Sequence, residues 1–176
     1  MTAKIKLNAA SGGGSVSFEG QASSSTDKII KFPTAPSVII QQVTASTTTR
    51  TERGTSTGVF TDTALSASIT PTSANSKVYI QVYGQVRCDD STTGGSLTIT
   101  RGSTNLGDSN RGFTTFLIGP SGLFLCPVSM GFLDSPNTTS STTYTVQIAR
   151  INGPNSVFFP QSTEDPGIMI LSEVAT

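Results

Sequence analysis

The chain has no histidine and no tryptophan, only two cysteines, and little charge: 11 Lys and Arg balance 11 Asp and Glu in 176 residues. Without histidine, neither a Ser-His-Asp nor a Cys-His nucleophile can be assembled, and zinc loses its commonest nitrogen ligand. A formal net charge of zero leaves no basic footprint for a phosphate backbone, which argues against nucleic-acid binding. No apolar run approaches the length of about 18 residues that a membrane-spanning helix needs, so membrane insertion is not expected. At the N-terminus, Lys4 and Lys6 alternate with apolar residues and lead into Gly and Ser, a pattern unlike a secretory signal.

What the chain does have is hydroxyl. There are 25 Ser and 28 Thr, with 17 Gly and 9 Pro, while hydrophobic residues make up 35%. Disorder would require the apolar residues to be scattered as well as few. Instead Val, Ile and Phe recur at alternate positions, in segments of five to eleven residues bounded by turn chemistry. Branching at Cβ favours extended backbone, the strong helix formers are sparse, and no window shows an uninterrupted 3.6-residue period. The sequence therefore predicts an all-β chain, long enough for one principal domain with a sizeable core.

The clearest strand is Lys77–Cys88, with Val78, Ile80, Val82, Val86 and Cys88 on one face and Tyr79, Gln81, Tyr83, Gln85 and Arg87 on the other. Leu65, Ala67 and Ile69, then Leu97 and Ile99, then Tyr144, Val146 and Ile148 alternate in the same way. Phe124, Cys126, Val128, Met130 and Phe132 share one face of a long strand whose other face carries Leu123, Leu125 and Leu133. Asn152-Gly153 is a turn signal, and the last strand, Gly167–Ala175, is apolar on both faces, which suits a central position or an intersubunit contact. Further upstream, Ile5 and Leu7, Val16 and Phe18, and Ile29 with Phe32 mark three short strands around Gly12–Gly14. So few apolar residues cannot enclose a core, so this segment needs another copy of the chain or the surface of an assembly. The expected organisation is a β-rich attachment segment over 1–45, a connector over 46–63 and a β-sandwich over 64–176.

The candidate sites are few. Tyr79, Gln81, Tyr83, Gln85 and Arg87 form the most distinctive surface, because Tyr and Arg offer large contact area with a polar end. A subunit interface and a sugar-binding strip would use the same residues, and a solvated sheet face is the plain alternative. Cys88 and Cys126, each on an apolar face, read as small buried hydrophobes or as a pair on facing strands; neither has a neighbour that would activate a thiol. Asp89-Asp90, an adjacent carboxylate pair, opens a Gly-rich loop and reads as turn chemistry rather than a glycosidase pair. Asp108, Asn110 and Gly112 have the first spacings of a calcium loop without its distal Glu, so a polar hairpin is expected there. Gly12–Gly14 lacks the Lys-Ser/Thr of a phosphate loop, and Asn137-Thr138-Thr139 spells a glycosylation acceptor with nothing else to indicate a secretory route. No cofactor or metal is expected.

Residues 4–33, Lys-Ile-Lys-Leu-Asn-Ala-Ala-Ser-Gly-Gly-Gly-Ser-Val-Ser-Phe-Glu-Gly through Lys-Ile-Ile-Lys-Phe-Pro, resemble short β repeats in tail-fibre-like proteins of tailed bacteriophages, including phages of marine cyanobacteria. Residues 64–79, Ala-Leu-Ser-Ala-Ser-Ile-Thr-Pro-Thr-Ser-Ala-Asn-Ser-Lys-Val-Tyr, resemble the opening of a domain found at the distal end of such proteins. The likeness continues through Gly131–Asp134, Tyr144–Val146 and Ile168–Glu173. It implies a homotrimeric, antiparallel jelly-roll-type sandwich on the exterior of a virion, made in the host cytoplasm, attached through its N-terminal segment and serving host adsorption. The implied partners are other copies of the chain, further virion proteins of capsid or tail, and host-surface glycans. The chain departs from full-length tail fibres in having no large N-terminal tail-docking domain, so a capsid decoration or head-fibre protein is the alternative expectation. A polysaccharide-degrading enzyme is the third, and the missing histidine weighs against it.

Overall fold

The computed structural model describes residues 4–7, 16–19, 39–54, 58–89, 92–117 and 122–175. The chain divides into two units, residues 1–34 and 35–176. Ile29, Phe32, Gly12–Gly14 and Asp90 lie outside the described residues.

In the first unit, β1 (Lys4–Leu7) pairs antiparallel with β2 (Val16–Glu19). Ile5 is opposite Phe18 and Leu7 opposite Val16, while Lys4 faces Glu19 and Lys6 faces Ser17. Residues directly opposite in an antiparallel pair share a face. The register therefore gathers the four apolar positions on one side and the charged ones on the other. A two-stranded ribbon is marginal by itself in water.

The second unit contains β3 (Ile39–Thr47), β4 (Thr51–Arg53), β5 (Thr61–Ile69), β6 (Lys77–Cys88), β7 (Gly94–Arg101) and β8 (Thr104–Asn105). It continues with β9 (Thr114–Leu117), β10 (Phe124–Asp134), β11 (Thr142–Asn152), β12 (Val157–Phe159) and β13 (Gly167–Val174), and no helix occurs among the described residues. β13 pairs with β3 and β12 with β4, all four in line, so each couple is one strand interrupted by a short excursion. β8 and β9 likewise pair with the two ends of β7. Between them, Leu106 N–H donates to Ile99 O (3.0 Å) and Phe113 N–H to Leu97 O (2.8 Å), so the ladder resumes on either side of a looped-out 107–112.

With those couples joined, eight strands remain in two antiparallel sheets. The first sheet runs β10, β6, β12–β13, β3–β4, and the second runs β5, β11, β7, β8–β9. In chain order these are sixth–third–eighth–first and second–seventh–fourth–fifth. That is the double Greek key of a jelly roll, in which first pairs with eighth, second with seventh, third with sixth and fourth with fifth. The expected all-β, antiparallel jelly-roll sandwich is the observed fold.

Alternation puts the core where the sequence indicates. Val78, Ile80, Val82, Val86 and Cys88 of β6 face Leu65 and Ile69 of β5, Leu97 and Ile99 of β7, and Tyr144, Val146 and Ile148 of β11, all fully buried. Phe159 fills the place where the interrupted eighth strand leaves β6: a Cβ at Gly84 would lie 2.7 Å from its ring and one at Gly167 would lie 3.1 Å away. Both positions are glycine because the ring occupies that space. Gly153, the second residue of the Asn-Gly turn, has φ +79° and lets the Thr92–Thr93 backbone approach to within 2.6 Å of where a Cβ would be.

The structure departs from one expected boundary and also buries some of the hydroxyls. Residues 39–53, expected in the attachment segment and connector, are the first strand of the sandwich, because Val43 and Ala45 face its core and the backbone zips along β13. Only the short span between Arg53 and Thr61 connects β4 to β5. Not all the hydroxyls decorate loops and wet faces, either. Ser96, Thr98 and Thr100 on β7 are almost fully buried, closed over by Thr115, Asn105 and Thr145: Ser96 Oγ meets Thr115 Oγ1 at 3.0 Å and Thr98 Oγ1 donates to Asn105 Oδ1 at 2.5 Å.

Candidate functional site

Tyr79, Gln81, Tyr83, Gln85 and Arg87 occupy alternate positions of β6 on the side turned away from the second sheet. β6 lies inside its sheet, so strands flank this row on both sides. On β10, Leu133 is opposite Tyr79, Gly131 opposite Gln81, Ser129 opposite Tyr83, Pro127 opposite Gln85 and Leu125 opposite Arg87. On β13, Ile170 is opposite Gln81 and Ile168 opposite Tyr83. Tyr79 and Tyr83, four residues apart on one strand, stand about 13 Å from each other.

Packing within the row fixes both rings. Tyr79 leans across Gly131, where a Cβ would sit 3.2 Å from the phenol oxygen. Gln81 Nε2 donates to the Tyr83 hydroxyl (2.6 Å). Leu133 and Leu125 remain 47% and 43% exposed, and Ile168 and Ile170 are half-buried. At the far end of the row, Arg87 and Arg50 both lie over the ring of Phe158, 5.4 Å and 4.6 Å from its centre, and Arg87 Nε is 2.5 Å from Asp89 Oδ1. Leu125, Leu133, Ile168, Ile170, Tyr79 and Tyr83 thus form an uncharged strip, with the two arginines at one end.

The outer face of the second sheet differs in kind. Ser66 meets Thr145 (3.1 Å), Ser68 meets Thr143 (2.7 Å) and Gln147 Nε2 donates to Asp62 Oδ1 (2.7 Å). It is a lattice of short polar side chains that satisfy one another. The outer face of the second sheet is finished mainly with hydroxyls, with Leu117 exposed at its β9 edge, and that of the first carries exposed Leu and Tyr beside half-buried Ile.

Two buried carboxylates do structural work. Asp134, on β10, accepts two bonds from Arg101 Nη1 of β7 (2.8 Å each) and one from the Tyr144 hydroxyl of β11 (2.7 Å), tying the sheets together. Burial and the Asp134 carboxylate push the Tyr144 phenol far up. Glu173, on β13, is fully buried; burial alone would raise its pKa. Hydrogen bonds from Gln41, Ser76 and Thr72 outweigh that and hold it at about 2. Neither group stands beside a second free carboxyl, so neither has the partner that paired acid–base chemistry requires.

Cys88 and Cys126 are diagonal neighbours across β6 and β10 and are free thiols. Burial first, then Asp89 and Cys126, push the Cys88 thiol up to about 12, which makes it inert at neutral pH. Asp108 Oδ1 accepts the N–H groups of Asn110 (2.8 Å) and Arg111 (2.7 Å), so the calcium-like spacing folds as a self-satisfied turn. Among the described residues no three His, Cys, Asp or Glu side chains gather as a metal site, and no helix is long and apolar enough to cross a membrane. The signal that composition hides is the flanking of β6: Leu125 and Leu133 were visible as a second apolar face of their strand, but only the register places them beside Tyr79 and Arg87.

No family model matches the chain, and no curated protein matches it. Among solved structures it is similar to a chain in the structure of infectious bursal disease virus, Gt strain, at a TM-score of 0.37 and 13% identity, covering 92% of this chain and 48% of that one. It is also similar to a mutant VP2 protein of infectious bursal disease virus in derived T=1 particles, at a TM-score of 0.36 and 12% identity, covering 96% of this chain and 46% of that one. The chain spans about half the length of the solved chains it matches.

Proposed function

We propose that this chain is a non-enzymatic structural protein of a virion exterior, a trimeric, tail-fibre-like module whose N-terminal hairpin attaches it and whose sandwich binds rather than catalyses. The observation that carries this reading is the unequal finish of the two outer faces. Exposed Leu125, Leu133, Tyr79 and Tyr83 beside half-buried Ile168 and Ile170 make a contiguous strip, whereas the opposite face is closed along β5 and β11 by polar pairs and exposes Leu117 singly at its edge. Contact surfaces are depleted in charge and enriched in aromatic and apolar side chains, as this strip is. In the trimer the strip is covered by a neighbouring copy, and Arg87 with Gln85 lies at its rim.

The hairpin supports the attachment role. The register puts Ile5, Leu7, Val16 and Phe18 on one side of a two-stranded ribbon that cannot hold itself together. Ile29 and Phe32 complete the expected attachment set. The resemblance of residues 4–33 and 64–79 to phage fibre segments supplies the virion context, with host-surface glycans as ligand of the displayed loops. Light scattering of the purified chain tests the assembly. The expected mass is three times 18.2 kDa, reduced to one by Leu133→Lys with Ile168→Lys, and a wild-type monomer would refute the trimer. Removing residues 1–34 is expected to leave a folded sandwich that no longer joins particles; particles that retain it at normal copy number would refute the attachment role.

A further inference from the structure

β11 sends Tyr144, Val146 and Ile148 into the core at alternate positions, and the next residue of that series is Arg150. It is only 8% exposed, and its Nε finds no hydrogen-bond partner. Arg53 of β4 is opposite the fully buried Val157 and so shares its inward face. Its Nε is also buried without a partner. The Gly58–Val59 segment joins the two: Gly58 N–H donates to Arg150 O (2.6 Å), and Arg53 Nη2 donates to Val59 O (3.4 Å).

Arg150 and the Nε of Arg53 are therefore buried on the inward face beside Gly58–Val59, while Arg53 as a whole is only partly buried. A guanidinium cannot shed its proton, so burial cannot be relieved by neutralisation. Burying such a charge is costly unless an opposite charge meets it. The described carboxylates near this end are committed elsewhere. Glu52 faces outward and accepts from Ser156 Oγ (2.6 Å), and Asp89 is held by Arg87 (2.5 Å). Arg150 makes no ion pair with any described carboxylate.

We propose that Arg53 and Arg150 form an internal oxyanion site, which takes a phosphate, sulfate or carboxylate group between the sheets. The planar fork of each guanidinium offers paired N–H donors that match two oxygens of such a group. The site is independent of the trimer and of the attachment role, since it lies within one sandwich.

The test is thermal unfolding of the full chain at constant ionic strength, with sodium chloride replaced stepwise by phosphate, sulfate or acetate. A saturable rise in Tm is expected with at least one oxyanion, on the order of 5–10 °C when it is about a hundredfold above its Kd. A response to phosphate or sulfate marks a free inorganic anion as occupant, and a response to acetate alone marks a carboxylate group. Arg150→Met is expected to lose the rise while matching or exceeding the wild-type Tm in chloride; Arg53→Met serves the same purpose should the first variant fail to fold. Arg111→Met, in the looped-out 107–112 segment, is expected to keep the rise. No rise beyond chloride in the wild type, or an undiminished rise in both inward variants, would overturn the site.

Discussion

The buried Glu173 offers the most quantitative handle on the fold. Its Oε1 accepts Thr72 N–H (2.8 Å) and Thr72 Oγ1 (2.7 Å), and its Oε2 accepts Gln41 Nε2 (2.7 Å), which also reaches Thr70 O (2.6 Å). One carboxylate thus pins the β5–β6 loop to both β3 and β13. Its pKa, lowered from an ordinary 4.5 to about 2, corresponds to about 3 kcal/mol of native-state stability when the group is ionised in both states. Because the folded pKa is the lower one, this contribution is fully present above pH 4.5 and is lost as the pH falls from 4.5 toward 2. In Glu173→Gln the amide cannot accept all the same donors, and a hydrogen bond to a charged acceptor becomes a neutral one. Urea denaturation of both proteins between pH 2 and pH 7 is the assay. The wild type is expected to be about 3 kcal/mol more stable at pH 7, with the two curves converging toward pH 2. Parallel curves, separated by the same amount at every pH, would refute the claim that hydrogen bonds to the ionised carboxylate outweigh its burial.

Three further outcomes follow from single contacts. Gly84→Val places atoms where the Phe159 ring already lies and is expected to lower stability by about 1–3 kcal/mol in chemical denaturation, with Gly84→Ala less severe. A thiol reagent at pH 8 is expected to modify Cys126 quickly and Cys88 only on unfolding, read as one fast equivalent per native chain and two in denaturant. Asp134→Ala leaves the buried Tyr144 hydroxyl without its acceptor and removes the partner of the partly exposed Arg101, and is expected to cost about 1–3 kcal/mol in the same denaturation experiment.

How much of this was readable in advance depends on how each residue earns its place. Lys77–Cys88 was legible to the residue, and Leu65–Ile69 as the inner part of a strand that begins at Thr61, because alternation of Val, Ile or Leu with Tyr, Gln or Ser has one physical solution. Ile39–Thr47 was not legible as part of the sandwich, because its inward face is Gln41, Val43, Ala45 and Thr47, too weakly apolar to announce a core. Its place is fixed instead by backbone pairing with β13, a long-range fact that no local window contains. The strip around Tyr79 was half legible, since its own row shows in β6 while its leucine and isoleucine borders depend on register. Arg150 was invisible, as an arginine beside a strand end reads as an ordinary solvated tip until its side chain is seen to continue the inward series.

The proposed role makes the chain a repeated component of a particle surface, and the direct measurement is its copy number and accessibility in purified particles of the virus proposed to encode it. Quantitative mass spectrometry of intact particles, with amine labelling before disruption, reads both at once. The predicted result is a copy number divisible by three, with Lys77 at the start of β6 labelled in intact particles; tens of copies fit a tail component and hundreds a capsid decoration. A chain absent from purified particles, or present but labelled only after disruption, would contradict it.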